Sequence, residues 1–454
     1  MLLESICMKG FSKKIAMLIC VTLTGWSFAA SCSIAADNYS ASLPGALNLS
    51  NPPSAPNLHI ATELAWKRHP EAAALDAREA AIGAAQEIAS GLTPDAGAVS
   101  LSSRNDSLNR HPGLQEHELE ISTALWLSGQ KSARQLDALA RLEELQARRL
   151  AIRWEIAGQV REAWWQIAMA RNAKALAMRK SEAAHSLADD VQRRYQLGDV
   201  SRVDANLAQS EVHTAQAELL DAGAALTQAE QAFQLLTGAQ VMDAPMAEEE
   251  LLSQNLHLSA DLSTDLSKIN AQKIMELSAV HPLSIQADRA LKSARARAKL
   301  AEQSQRAAPE LALRVVRERG GLNDAFVNSV GVRLKIPFSS SAQVRQDDAI
   351  ARADTLQTES DLIRIRALVQ SQIEQSLQTQ QLVNQQINLA QQNLTLANDN
   401  LQLAEKAYRF GESDLVSLLR TRSAAFQAAS FFTKQNLARA AAISRTNQAL
   451  GFTP

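Results

Sequence analysis

The chain has 454 residues, with 46 basic and 48 acidic side chains and a formal net charge of -2. Aromatic residues are only 4% of the total, which argues against a large β-sandwich or β-barrel enzyme, because the cores of such enzymes draw on aromatic and β-branched side chains. The near-neutral charge argues against a protein that binds nucleic acid through a basic surface.

The first residues have the pattern of a targeting segment. Lysines precede an apolar run at 15–30, and small residues follow it. This pattern predicts a secretory signal peptide over residues 1–36, with Met8 as an alternative start. The alternative to cleavage near residue 36 is lipidation at Cys32. The 3 cysteines of the chain all lie in its first 32 residues, so no disulfide or cysteine metal site is expected beyond them.

The next segments differ in their helix breakers. A linker rich in Ser, Asn and Pro is predicted at 37–57. No glycine or proline occurs at 338–410, and a helix of that length would reach roughly 110 Å, too long for a compact domain. An apolar seam with heptad spacing runs along this segment, as in an ordinary helical bundle or a larger coiled coil. Its members are Ile387, Ala390, Leu394, Ala397, Leu401, Ala404 and Tyr408. A looser seam contains Ile156, Val160, Ala163, Ile167 and Ala170.

The sequence contains an internal repeat. Residues 195–203 read YQLGDVSRV and residues 408–416 read YRFGESDLV, at an offset of 213. The pair His69-Pro70 recurs as His281-Pro282 at nearly the same offset. We therefore predict two copies of one unit, at 58–240 and 269–454, joined by an acidic linker at 241–268.

Each copy is predicted to begin with a helix, at 59–90 and at 269–306, and to continue with two strands. Apolar and polar side chains alternate in the predicted strands, at 96–103, 118–127, 310–317 and 327–337. Their lengths suit strands that cross a membrane, although a water-soluble sheet packed on one face would alternate in the same way. Four strands cannot close a barrel in lipid, so a membrane location requires several chains to share one barrel.

With this order of helices, strands and turns, the chain resembles the outer-membrane efflux proteins of the TolC type. The residues that carry the resemblance are the Tyr-x-x-Gly turns at 195–204 and 408–417 and the ends of the copies near Gly238 and Gly451. The family's Asn-Pro-like turns are His-Pro here. The resemblance implies a mainly α fold with a small β part: a long coiled-coil α-helical barrel, and four transmembrane β-strands per chain in a twelve-stranded barrel shared by a homotrimer.

The resemblance also implies a location and a role. Proteins of this family lie in the outer membrane of Gram-negative bacteria and extend into the periplasm, where an adaptor joins them to an inner-membrane pump. We therefore expect a passive exit channel for small toxic solutes, either metal ions or drugs, with membrane lipid as a further partner. The alternative is a periplasmic coiled-coil adaptor or scaffold. An adaptor, however, has one long hairpin flanked by β-rich domains, whereas this chain has two equivalent hairpins.

The resemblance assigns roles to residues at the two turns. It implies that an adaptor docks at these tips, whereas helix stops and N-caps would use the same residue types. The tip residues are Gly198, Asp199, Val200, Ser201, Gly411, Glu412, Ser413 and Asp414. Just inside the tips, Asp204, Ser417 and Arg420 are expected to line the tunnel constriction. Some relatives have an acidic pair at the last two positions. Arg420 therefore argues against a simple cation-selective gate, because a ring of arginines favours anions or pairs with Asp204.

A metal-related role has little support in the sequence. Residues 127–134, LSGQKSAR, resemble a Gly-Gly-Lys-Arg-like segment of channels that serve heavy-metal exporters, but a polar strand-to-helix connection explains them equally well. None of the 8 histidines has a partner at a metal-ligand spacing. Phosphate-binding loops, nucleophile elbows and dinucleotide fingerprints are also missing from the sequence. We therefore expect no catalytic residue, no cofactor and no metal site, and a periplasmic metal-handling enzyme is disfavoured.

Overall fold

The computed structural model describes residues 54–55, 57–106, 112–241 and 271–454. The predicted signal peptide, Cys32, most of the linker at 37–57 and nearly all of the acidic linker at 241–268 lie outside the described residues. The described residues all fall in one unit, residues 52–454. None of the described helices combines the length and the apolar character needed to cross a membrane.

The same order of elements occurs twice along the chain. The first half contains β1 (Ser54–Ala55), α1 (Leu58–Arg68), α2 (Pro70–Ser90), β2 (Ala98–Asn105), β3 (Gln115–Ala124), α3 (Gln130–Leu197), α4 (Arg202–Thr237) and β4 (Gln240–Val241). The second half contains α5 (Ala271–Val280), α6 (Pro282–Gln303), β5 (Glu310–Arg319), β6 (Val327–Lys335), α7 (Ser341–Arg409) and α8 (Leu415–Ala449). Apart from the two-residue strands β1 and β4 of the first half, each half thus has two short helices, two strands and two longer helices.

The two longest helices form where the sequence lacks proline. The helix α7 has 69 residues and α3 has 68, and at 1.5 Å per residue each is about 100 Å long. The predicted seam of α3 lies in the core, where Ile156, Val160 and Ile167 are fully buried. In the seam of α7, Ala390 and Tyr408 are buried and the other members are half-buried.

The two predicted N-terminal helices, at 59–90 and 269–306, are each broken in two, so this prediction was wrong in detail. His69 (ψ 127°) and His281 (ψ 139°) have extended backbone. A proline disfavours the helical conformation of the residue before it, so each helix ends there and a new one begins at the proline. Nδ1 of each histidine then caps the new helix by accepting the N–H of Glu71 or Leu283.

The strands β2, β3, β5 and β6 form one antiparallel sheet in that order, so the two halves of the chain meet at β3 and β5. In its register Leu119 pairs with Leu101 on one side and with Val315 on the other. The structure moves the predicted strand at 118–127 to Gln115–Ala124, because the N–H of Leu127 already bonds the side chain of Gln130 at the start of α3. The short strands β1 and β4 pair in parallel.

The helices pack side by side in an order that mirrors the sheet. Next to the sheet the order is α2-α3-α6-α7, and toward the turns after α3 and α7 it is α4-α3-α8-α7. In the sheet and in both helical layers, one outer edge comes from the first half of the chain and the other from the second half. The first edge consists of β2, α2 and α4, and the second consists of β6 and α7.

Candidate functional site

Both tips are built in the same way around a glycine. Gly198 has φ +84° and Gly411 has φ +74°, a left-handed conformation that favours glycine. The residue after each glycine donates its N–H to the carbonyl five positions earlier, at 2.9 Å, so carbonyls at the helix end are satisfied. The chain can therefore reverse sharply between two antiparallel helices.

Side-chain caps begin the helix that leaves each tip. Ser201 Oγ accepts the N–H of Asp204 at 3.2 Å, and Asp204 Oδ2 accepts the N–H of Ser201 at the same distance. At the other tip, Asp414 Oδ1 accepts the N–H of Ser417 at 3.0 Å. Hydrogen bonds from the side chain and backbone of Ser417 lower the pKa of Asp414 below its ordinary value, and the charge of Arg420 adds to this. The capping role, which the sequence analysis left open, is therefore present at both tips.

The two tips share one hydrophobic core, so they lie together at one end of the four long helices. The core draws mostly on small and aliphatic side chains of all four helices: Ala184, Leu187, Ala188, Val191, Ala208, Val212, Ala215, Tyr408, Leu415 and Leu418. Small side chains let neighbouring helices approach closely. Of the eight predicted tip residues, Val200 and Ser413 are half-buried and the other six are exposed. The structure thus assembles them on one surface.

The three predicted constriction residues follow directly after the tips. Asp204 is half-buried, and Ser417 and Arg420 are exposed. Both Asp204 and Ser417 take part in helix caps. Among the residues that the structure describes, no ion pair joins Asp204 to Arg420 within one chain. Lining of a tunnel by these residues stays a prediction.

Tyr408, predicted as a seam residue and as the first residue of a repeated turn, links the two tips. The guanidinium of Arg194 on α3 lies 5.0 Å from its ring centroid. Burial raises the pKa of Tyr408, and its hydroxyl has no hydrogen-bond partner among the described residues. Its repeat counterpart Tyr195 is exposed. The repeat identified both positions in the sequence, but only the packing of the two halves distinguishes them.

The four-stranded sheet has two chemically different faces. Apolar side chains line one face, which we call the apolar face, and each is at least 39% exposed in the single chain. They are Val99, Leu101, Leu119, Ile121, Leu311, Leu313, Val315, Val330, Val332 and Leu334. Exposure of so many large apolar side chains marks a surface that contacts lipid or another protein.

The opposite, polar face contains ion pairs between neighbouring strands. Arg314 lies 3.6 Å from Glu118, and Arg333 pairs with Glu120, which is buried. Lys335 lies 3.8 Å from Glu310 at the end near the helices. Pairing across strands stabilises charges that share one face of a sheet.

The segment 127–134 forms the connection from β3 to α3. Gly129 stands before the helix with φ +75°, and Gln130 Nε2 donates to Ser304 Oγ at 3.2 Å. In the described part of the chain, no group of three or more His, Cys, Asp or Glu residues could hold a metal ion. The segment forms a strand-to-helix connection, and its relation to channels of heavy-metal exporters stays a prediction.

Comparison with known proteins relates the chain to outer-membrane channels. Residues 70–239 match the family model described as "Outer membrane efflux protein". A comparison with curated protein sequences finds no match.

Several solved structures have the same fold over most of the chain. The outer membrane protein VceC from Vibrio cholerae is 15% identical, with a TM-score of 0.68 over 87% of this chain and 96% of its own. The outer membrane channel CmeC from Campylobacter jejuni is 16% identical, with a TM-score of 0.67 over 87% of this chain and 85% of its own. The outer membrane channel MtrE from Neisseria gonorrhoeae, in its open state, is 16% identical, with a TM-score of 0.67 over 87% of this chain and 89% of its own. The chain has the fold of TolC-like outer-membrane channels.

Proposed function

We propose that this chain, whose residues 70–239 match the model of the outer membrane efflux protein family, forms the outer-membrane exit channel of an export system. Three copies join edge to edge as a homotrimer. Their sheets close one twelve-stranded barrel in the outer membrane, and their helices form a tunnel that extends into the periplasm. The channel is a passive conduit, and its role requires no catalytic step.

The main support for this proposal is that both outer strands of the sheet, β2 and β6, have an unpaired edge in the single chain. In lipid, the unpaired N–H and C=O groups of β2 and β6 would each cost several kcal/mol, so the sheet needs partners at both edges. Because the two edges differ, β6 of one copy must meet β2 of the next. Such head-to-tail contacts close into rings when the rotation between copies permits. The same contact brings α7 against α2 and α4 of the next copy.

An apolar stripe on α7 supports the same assembly. Its members are seven residues apart and lie in a row on one side of the helix, away from the seam that packs within the chain. They are Leu382, Leu389, Leu396 and Leu403, with Phe410 directly after the last turn, and each is more than half exposed in the single chain. Exposed apolar side chains on α4, at Val203, Leu220 and Leu235, provide a matching surface on the first edge.

The tips support a gate that an adaptor opens. We assign adaptor docking to the eight tip residues, of which Asp199 and Glu412 present exposed carboxylates. We assign the constriction to Asp204, Ser417 and Arg420. At rest the shared apolar core holds the tips together, and contact with a periplasmic adaptor separates them. An inner-membrane pump supplies the energy.

The exported solutes in this proposal are small and toxic, either metal ions or drugs. In a trimer, Arg420 would place three positive charges near the tips. Such a ring favours anions or pairs with Asp204, so it argues against a simple cation-selective gate.

Opposite faces of β6 provide the test. Val332 on the apolar face is 72% exposed, and Ser329 lies on the polar face of the same strand. A lysine facing lipid costs about 2–4 kcal/mol at mid-membrane, so Val332→Lys should abolish outer-membrane assembly, whereas Ser329→Lys should be tolerated. The measurements are fractionation of expressing cells and the mass of the detergent-solubilised protein.

The wild-type protein should fractionate with the outer membrane and have the mass of three chains. A soluble periplasmic monomer or dimer would contradict the channel and favour the adaptor or scaffold. Equal effects of the two lysines would argue against the barrel even if the protein fractionates with membranes.

A further inference from the structure

Two arginines interrupt the apolar face at the far end of the sheet, which is the end where β2 leads into β3 and β5 leads into β6. Arg317 lies on the apolar face of β5, directly beyond Val315, and is aligned with His117 and Asn328 on the neighbouring strands. Arg319 lies one step farther along the same face. These two residues and His117 are the only titratable side chains on the apolar face of the described strands.

A phenylalanine orients both guanidinium groups. The ring centroid of Phe326 lies 4.7 Å from the guanidinium of Arg317 and 5.0 Å from that of Arg319. Contacts of this kind between a guanidinium and a ring are attractive, and they leave the N–H edges of the guanidinium available. In the single chain Arg317 is exposed and Arg319 is half-buried.

The charges of this pair are not balanced within the described chain. On the polar face, Arg314 and Arg333 each pair with a glutamate. The apolar face of the described strands has no carboxylate, and neither Arg317 nor Arg319 forms an ion pair there. Because β5 is an inner strand of the sheet, the next copy in a ring would not cover the pair.

We propose that Arg317 and Arg319 bind the phosphate of a lipid headgroup in the outer leaflet of the membrane. The inference rests on the proposed function, because the far end of the sheet faces the outer leaflet only if the helices extend into the periplasm. The pair lies where the apolar band ends, which is the depth of headgroup phosphates. Guanidinium groups bind phosphate through parallel N–H···O bonds, so two arginines side by side suit a phosphate better than a neutral headgroup.

The test uses the purified full-length protein in neutral detergent and diphosphorylated lipid A as the probe. Native mass spectrometry measures bound lipid for the wild type, the double variant Arg317→Gln/Arg319→Gln and the control Arg104→Gln. Arg104 is exposed at the same height of the sheet but on the polar face, where it is aligned with Glu116. We expect about tenfold or greater loss of lipid affinity in the double variant and no loss in the control, because two charge-assisted bonds are removed.

Dephosphorylated lipid A and inorganic phosphate separate the sources of binding. We expect dephosphorylated lipid A to bind the wild type weakly, with the same affinity that diphosphorylated lipid A has for the double variant. Inorganic phosphate at millimolar concentration should displace only little of the bound lipid A from the wild type. The inference would be overturned if the wild type bound both lipids equally, or if the double variant bound diphosphorylated lipid A as tightly as the wild type does. A trimer in the outer membrane would still support the proposed channel in either case. Failure to form a trimer would instead count against the proposed function.

Discussion

At the scale of the residue, His281 couples stability to pH. It is fully buried, and its ring meets Trp154 edge-on at 4.7 Å. Burial lowers the pKa of His281 from 6.5 to about 4. As the pH falls, His281 takes up a proton near pH 6.5 in the unfolded chain but only near pH 4 in the folded chain. The free energy of unfolding therefore decreases as the pH falls from about 6.5 to about 4.

We expect His281→Asn to flatten this pH dependence. Asparagine is a good N-cap and does not titrate, so the start of α6 is preserved while the proton linkage is removed. Between neutral pH and pH 5, the wild type should lose about 2 kcal/mol per chain more than the variant. Thermal unfolding of the detergent-solubilised protein at both pH values measures the difference. His69→Asn is the control, because it alters the equivalent cap in the first half, and equal flattening by that variant would contradict the assignment.

At the scale of the element, the turn between α3 and α4 depends on one backbone conformation. No other atom lies within 4 Å of a Cβ added at Gly198, so a side chain there meets only backbone strain at φ +84°. Gly198→Ala should therefore destabilise the tip by about 1–2 kcal/mol and speed trypsin cleavage at Arg194 and Arg202. Gly83, within α2, also has free space around an added Cβ but has helical backbone. Gly83→Ala should raise the unfolding temperature and leave tip cleavage unchanged. Unchanged cleavage in Gly198→Ala would show that the turn tolerates the strain.

Elements set by local chemistry could be predicted from the sequence. The lack of helix breakers predicted α7, a looser apolar seam indicated a helix within α3, and alternation predicted the four strands. The wrong predictions have local causes. A proline divides the first helix of each copy at His69 and His281, and the start of α3 takes the N–H of Leu127 that a longer β3 would have used. The pairing of β3 with β5 joins residues far apart in the sequence, and the alternation of either strand alone does not specify its partner.

In the candidate site, too, the sequence predicted the features that local chemistry sets and missed those that depend on packing between helices. The glycines of both tips were found through the repeat, because a left-handed turn restricts the residue type. The structure adds capping bonds for Asp204 and Ser417, which the sequence analysis had weighed as an alternative. The contact of Tyr408 with Arg194 was not predicted, because it depends on how α7 packs against α3. The apolar stripe of α7 was missed in the sequence although its members are seven residues apart, because only the fold shows which face lies outside the chain's own core.

At the scale of the whole molecule, exposed leucines on the two edges of the chain lie at the same distance from the tips. Leu220 on α4 lies 22 residues after Gly198, and Leu389 on α7 lies 22 residues before Gly411. Because the two tips lie together, a helix rise of 1.5 Å per residue places both leucines about 33 Å from them. Both are exposed in the single chain. A ring of copies therefore brings Leu220 of one copy opposite Leu389 of the next.

Cysteine cross-linking tests this arrangement directly, because the chain has no cysteine after position 32. With Leu220→Cys and Leu389→Cys in one chain, mild oxidation should give covalent dimers and trimers on denaturing gels, and neither single variant should give more than a trace of either. The matched control pairs Leu389→Cys with Leu235→Cys. Leu235 is also exposed on α4 but lies 15 residues farther from the tip, about 22 Å away, beyond the reach of a disulfide. Equal cross-linking in the control would mean that copies meet without a fixed register, and products larger than a trimer would mean that the edges join without closing a ring of three.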